Sequence, residues 1–288
     1  MSIDLHCHTR LSDGSLGIED LIILAAKSGI KTLAITDHDC IAGNVRAKII
    51  GERHGVKIIH GVEFSAYDDI NNKKVHILCY LAEKPDRLEG LCKKNSLARR
   101  KAGQIMVIKT CRSFPINPEF ITKCASGSTN IYKQHIMHAL MECGYTNSIF
   151  GDLFNKLFVD EGPENINSTP KYPNPIEIIE QIHEAGGIAI LAHPGFYDNF
   201  DILDSLIENG LDGVEVWHPA NSEKQRENLI QIADEKNLLK TGGSDFHGMY
   251  NANPIKLGCC TVPEEDLQAL LEYKTKNKKQ TNKLKQGE

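Results

Sequence analysis

Seven short apolar runs punctuate this chain, and each carries a histidine or a carboxylate toward its end. They read "DLHCH", "KTLAITDHD", "GVKIIHGVEFSA", "KKVHILCYLAE", "IAILAHPG", "GVEVWHP" and "LLKTGGSDFHG". Helical stripes separate most of them. "SLGIEDLIILAAKSG" puts Ile18, Leu21, Ile22 and Ala25 on one face, with Gly29 as a left-handed stop. Strand and helix in alternation imply a parallel sheet. In a closed α/β barrel the C-terminal strand ends share one rim, and active sites are built there. His6, His8, His38, Glu63, His76, His193, His218, Asp245 and His247 all fall at or just beyond predicted strand ends, so that rim is where they are expected.

The first run sharpens the expectation. An extended backbone has a side-chain period of two, so His6 and His8 point to one side while Leu5 and Cys7 point to the other. Neutral imidazoles facing one small volume suit zinc, iron or manganese. Taken alone, the same HxH also fits a half-buried strand with two hydrogen-bonded histidines. Recurrence of ligand-type residues on strand after strand favours the metal. His54, His60, His135, His138 and His183 lack this placement and read as structural.

Composition removes several classes. A net charge of -5 provides no positive field for a nucleic acid backbone, which argues against stable nucleic-acid binding. No apolar run approaches the roughly 20 residues that span a bilayer, and no signal-peptide pattern is present, so a cytoplasmic protein is expected. Nine cysteines without a CxxC pair argue for reduced thiols rather than a thiolate zinc site or a disulfide framework.

The rhythm changes after residue 84. One long polar helix over 86–112 carries Lys93, Lys94, Arg99, Arg100 and Lys101, and further helices are expected at 134–143 and 148–158. A turn-rich stretch then leads back to strand and helix alternation. The expected organisation is a barrel domain of residues 1–84 plus 172–273, a helical insertion at 85–171, and a Lys-rich disordered tail at 274–288.

"DLHCHTRLSDG", "TDHD", "GVEFS", "VHILCY", "LAHPG" and "GGSDFHG" together resemble, in order and context, the motifs of the polymerase and histidinol phosphatase (PHP) family. The resemblance implies a distorted (β/α)7 barrel holding up to three divalent ions (Mn, Fe or Zn). His6, His8 and Asp245 would hold a first ion, and Glu63 would bridge to a second completed by His76 and His193. Asp13, His38 and His247 would hold the third. Such a cluster answers what phosphate ester hydrolysis requires: positive charge on the non-bridging oxygens and a metal-bound hydroxide at neutral pH. Asp37 would orient its neighbours rather than bind metal. His218 would act as acid or phosphate contact, or serve only as support.

The resemblance also directs attention to the insertion, which in small-molecule phosphoesterases of the family could close over a substrate. Arg99 or Arg100 would pair with a phosphate, or form a solvated basic face. "NIYKQHIMHAL" departs from the Arg-Pro-His-Ile pattern of relatives that process nucleoside bisphosphates. Lys133 keeps the charge but loses the bidentate fork. Lys133 and His135 complete the candidate substrate contacts. The expected activity is hydrolysis of a small phosphorylated substrate: a 5'-mononucleotide, a nucleoside 3',5'-bisphosphate or a ribose cyclic phosphate. Two alternatives stand beside it, an amidohydrolase-type hydrolase of a C–N or ester bond and a non-catalytic metal-binding or nucleic-acid-associated module. The sequence leaves oligomeric state open.

Overall fold

The computed structural model describes residues 2–273, so the expected Lys-rich tail at 274–288 lies outside the described residues. The first half of the barrel comprises β1 (Ser2–Asp4), α1 (Ile18–Lys27), β2 (Ile30–Ile35), α2 (Asn44–His54), β3 (Lys57–Asp68) and β4 (Lys73–Tyr80). The helical insertion follows as α3 (Glu89–Ser113), α4 (Pro118–Cys124), α5 (Lys133–Glu142) and α6 (Asp152–Phe158). The second half runs α7 (Pro175–Glu184), β5 (Ile188–Leu191), α8 (Pro194–Tyr197), α9 (Leu203–Glu208), β6 (Gly213–Trp217), α10 (Glu223–Lys236) and β7 (Leu239–Gly242). The chain is helical again over residues 264–273.

The strands form one sheet in the order β1 to β7. Its two edges meet through the segments just beyond β7 and β1: Leu5 N donates to Gly242 O, Asp245 N to His6 O and His8 N to Phe246 O, at 3.1, 2.8 and 2.9 Å. These bonds close the distorted (β/α)7 barrel and bring "HCH" beside "GGSDFHG". The fit is tight, because a Cβ on Gly243 would lie 2.3 Å from His6 N. Strands covered on both faces read as continuous apolar runs, and all four residues of β5 are buried.

One expectation is corrected. β3 and β4 pair antiparallel, and β4 also runs antiparallel to β5, so the sheet is not parallel throughout. Residues 69–72 are too few for a crossover helix and turn the chain directly back, with Asn72 at φ 55. Glu63 therefore sits in mid-strand and His76 lies in the first half of β4, neither at a C-terminal strand end. They still reach the rim, because the start of β4 lies beside the end of β3.

The helices follow their apolar stripes. α1 buries Ile18, Leu21, Ile22 and Ala25, and Gly29 after it has φ 78. α7 opens on Pro175, with the Asn174 side chain accepting from Ile176 N. Between β5 and β6 the helical cover is two short pieces, α8 and α9, and Asp198 just after α8 takes φ 54. α4 was not anticipated. The insertion packs its own apolar cluster, including Met106, Ile121, Ile136, Leu140 and Phe158, and Tyr250 from the barrel joins it. Among the described residues no helix is long and apolar enough to cross a membrane.

Candidate metal centre

Glu63 is buried at the middle of the rim, and its two oxygens face different imidazoles. Oε1 lies 2.8 Å from His76 Nδ1 and 2.9 Å from His193 Nε2. Oε2 lies 3.3 Å from His6 Nε2, 3.2 Å from His8 Nε2 and 3.2 Å from His38 Nδ1. Asp245 Oδ1 closes over the same pair, 3.5 Å from His6 Nε2 and 3.2 Å from His8 Nε2. A second grouping joins His8, Asp13, His38 and His247, with Asp13 Oδ1 3.3 Å from His247 Nε2. All nine expected ligands thus converge on one buried cluster.

The supports around them are specific. His6 Nδ1 is 2.9 Å from Glu215 Oε1, and the other oxygen of Glu215 accepts from His193 N at 2.7 Å. His247 Nδ1 donates to Asp245 O at 2.8 Å. Fixing a proton on Nδ1 turns the Nε2 lone pair of each ring toward the cluster. Glu215, fully buried on β6, escaped the sequence reading; its signal was a carboxylate inside the otherwise apolar "GVEVW". Asp37 accepts from Thr9 N, Thr9 Oγ1 and Ser12 Oγ, which ties down the loop between His8 and Asp13.

The donor set fits divalent metal ions on grounds internal to the structure. His6 Nε2, His8 Nε2, His38 Nδ1 and Asp13 Oδ1 are buried, and their contacts with the neighbouring carboxylates and imidazoles, at 3.2 Å or more, have no hydrogen-bond geometry. An orphaned buried polar atom costs about 1–3 kcal/mol, and here several of them aim at shared space. Electrostatics agree. Burial pushes the carboxyls of Glu63, Asp13 and Asp245 up, but the surrounding imidazoles outweigh it and hold all three well below the usual range. Burial opposes the charged form of His8, yet Asp245 and Glu63 carry its pKa to about 10. The carboxylates therefore demand positive charge at the centre, which cations can supply in place of protons.

His218 differs from the others. Its Nδ1 accepts from Ala220 N at 3.0 Å, so the neutral ring bears its proton on Nε2, which lies 3.4 Å from Asp245 Oδ2. That makes it a donor toward the cluster. A cleft of about 760 Å³ opens over the centre, lined in part by His218, Gln134, Phe196, Tyr197 and Lys256.

The expected substrate contacts fare differently. Arg99 is close to the centre but engaged: its Nη2 bonds Asp39 Oδ2 at 3.0 Å and Ser65 Oγ at 2.6 Å. Its guanidinium lies 4.6 Å from the Tyr132 ring centroid, and that ring stacks toward His38. Arg100, one residue further along α3, is exposed on another face. Lys133 Nζ rests over the Phe158 ring, and burial brings its pKa down to about 8. His135 Nδ1 accepts from Tyr132 N at the start of α5, and burial lowers its pKa to about 4. None of these four lines the cleft. Gln134 does so instead, and its Nε2 donates to Asp13 Oδ2 at 3.3 Å. Away from the centre, His138 bonds the Tyr250 hydroxyl and His183 pairs with Asp212.

Comparison with known proteins places this geometry. A relative from Eggerthella lenta, a phosphoribosyl 1,2-cyclic phosphate 1,2-diphosphodiesterase, is 35% identical over 254 residues, covering 87% of this chain and 96% of its own. A 5'-3' exoribonuclease of Escherichia coli is 32% identical over 253 residues, covering 85% of this chain and 84% of its own. The crystal structure of a proposed metal-dependent phosphoesterase from Bifidobacterium adolescentis superposes with a TM-score of 0.83 at 30% identity, covering 93% of this chain and 95% of that one. The model of the PHP domain matches residues 4–156, and the chain belongs to the PHP family.

Proposed function

We propose that this chain is a metal-dependent phosphoesterase that hydrolyses a small phosphorylated metabolite, a nucleotide or a sugar phosphate. The observation that carries the reading is Glu63, whose two oxygens meet different imidazoles, as suits one carboxylate shared between two cations. We assign His6, His8 and Asp245 to a first ion, Glu63 to the bridge, and His76 and His193 to a second. Asp13, His38 and His247 are assigned to a third. Manganese, iron and zinc all accept such mixed sites, and availability helps select among them. Bound there, divalent ions supply positive charge for the non-bridging phosphoryl oxygens and lower the pKa of a water toward neutrality.

The chain's own residues hold and donate. Neutral imidazoles keep the ions without cancelling their charge, while Glu215 and the Asp245 carbonyl fix two of those rings. Asp37 holds the 9–12 loop, and with it the approach of Asp13. His218, with its proton on Nε2, donates a hydrogen bond toward the cluster and serves as a contact for a phosphoryl oxygen. Residues 85–171 serve as a cap over the barrel of 1–84 and 172–273; the Gln134 bond to Asp13 supports that reading. None of the nine cysteines forms a disulfide, which supports a reducing compartment such as the cytoplasm.

The cleft volume favours a small ester over a long polymer, although one relative is named for RNA. The test is phosphate release, with added manganese, from a 5'-mononucleotide, a nucleoside 3',5'-bisphosphate and a ribose cyclic phosphate. Release from any of them is expected. Metal-loaded protein that hydrolyses none, while turning over an amide or lactone, overturns the reading.

A further inference from the structure

We infer that the helical insertion completes the site of the third ion, with Tyr132 and Gln134 as positioning residues for His38 and Asp13. The inference deepens the phosphoesterase reading and rests on its assignment of three ions. The first two groups of ligands take support from the barrel itself. Glu215 on β6 faces His6 Nδ1 at 2.9 Å and accepts from His193 N at 2.7 Å, and Asp245 N donates to His6 O at 2.8 Å. Asp13, His38 and His247 are braced differently, each from residues 85–171.

Asp13 is held through its side chain and through its loop. Gln134 Nε2, at the start of α5, donates to Asp13 Oδ2 at 3.3 Å, while Oδ1, which makes no hydrogen bond, lies 3.3 Å from His247 Nε2 and 3.7 Å from His8 Nδ1. With one oxygen engaged from outside, the other is left for a cation. Thr129 N donates to Leu11 O at 3.0 Å and Ser128 Oγ donates to Ser12 O, which fastens the two residues before Asp13. His38 is held by a ring and by its neighbour. The buried Tyr132 ring stacks toward it, with centroids 6.2 Å apart and planes 21° apart. The next residue, Asp39, has φ 52, a left-handed conformation that persists in such a residue only where the surroundings fix it. Asn95 and Arg99 of α3 help to fix it, donating to Asp39 Oδ1 at 2.6 Å and to Oδ2 at 3.0 Å. His247 is held at one remove. Tyr250, three residues on, packs into the apolar cluster of the insertion, and its hydroxyl lies 2.8 Å from His138 Nδ1. The packing of the insertion therefore sets how well the third group of ligands is aimed, and with it the affinity for that ion.

The test titrates chelator-stripped protein with manganese and reads the ions bound per chain and the affinity of each step, with circular dichroism to show that every variant is folded. Three ions are expected in the wild type. Tyr132→Ala and Gln134→Leu should each weaken one step about 10–100-fold and leave the other two unchanged, as loss of an outer contact to a ligand implies. Tyr132→Phe, which keeps the ring, should bind as the wild type does. Wild-type binding in both Tyr132→Ala and Gln134→Leu, all three steps weakened alike in both, or only two ions in the wild type overturns the inference. Binding in the expected pattern by a protein that hydrolyses none of the phosphate substrates overturns the proposed reaction and leaves the inference standing.

Discussion

His76 Nδ1 lies 2.8 Å from Glu63 Oε1 although the two residues sit on antiparallel strands, His76 opposite Ser65 and Glu63 opposite Leu78. The reversed strand makes this meeting possible, because the early residues of β4 lie beside the late residues of β3 at the rim. The carboxylate then faces His76 and His193 with one oxygen and His6, His8 and His38 with the other. Glu63→Gln keeps the shape and removes the charge. Phosphate release should fall about 10³-fold, roughly 4 kcal/mol of barrier, and metal content should fall with it. Elemental analysis beside kinetics checks both; unchanged metal content and turnover would remove Glu63 from the bridge.

Glu215 holds His6 through Nδ1 and His193 through its backbone N–H. Glu215→Gln should weaken metal affinity about 10–100-fold, as loss of such an outer contact typically does. Competition with a fluorescent chelator measures it, and an unaltered affinity would show that neighbouring packing alone orients His6.

Lys133 carries a pH prediction. Burial lowers its folded pKa to about 8, while the unfolded value is about 10.4. The unfolded chain therefore binds more protons between these values, so this group's contribution to stability rises with pH across the window. Lys133→Met should stabilise the protein at pH 7 by about 1–2 kcal/mol, and the gain should fade toward pH 10. Thermal unfolding at both pH values checks this; a destabilised variant at pH 7 would mean the ammonium has a partner that its contact with Phe158 does not show.

Arg99 joins α3 to the barrel through Asp39 and Ser65. Removing one partner of a buried ion pair leaves the other charge uncompensated, so Arg99→Ala should cost about 3 kcal/mol. Limited proteolysis within residues 85–171 should quicken in parallel. Wild-type stability combined with a raised KM would instead place the guanidinium on substrate.

Much of the centre was legible because ligand side chains must leave a backbone at fixed places. The HxH period and the "TDHD" and "GGSDFHG" strand ends follow from strand geometry, whereas Glu63 of "GVEFS" was expected at a strand end and lies in mid-strand. The direction of β4 was not legible, since an alternating strand looks alike in either direction and only the four-residue turn betrays it. Arg99 and Arg100 are neighbours in sequence but about 100° apart around a helix, and an unpatterned polar helix gives no sign of which one faces inward. Glu215 was hidden for the opposite reason: a lone carboxylate in an apolar strand names no partner until the barrel closes and brings His6 beside it.

Asp245 faces both His6 and His8, so it tests the metal mechanism most directly. Wild-type protein and Asp245→Ala should be stripped with chelator, then assayed for phosphate release from a nucleoside 3',5'-bisphosphate before and after manganese is returned. The account predicts no release from stripped wild type, restored release with manganese, and none from a folded Asp245→Ala under either condition. Full release from the stripped wild type, or from the variant, would contradict it.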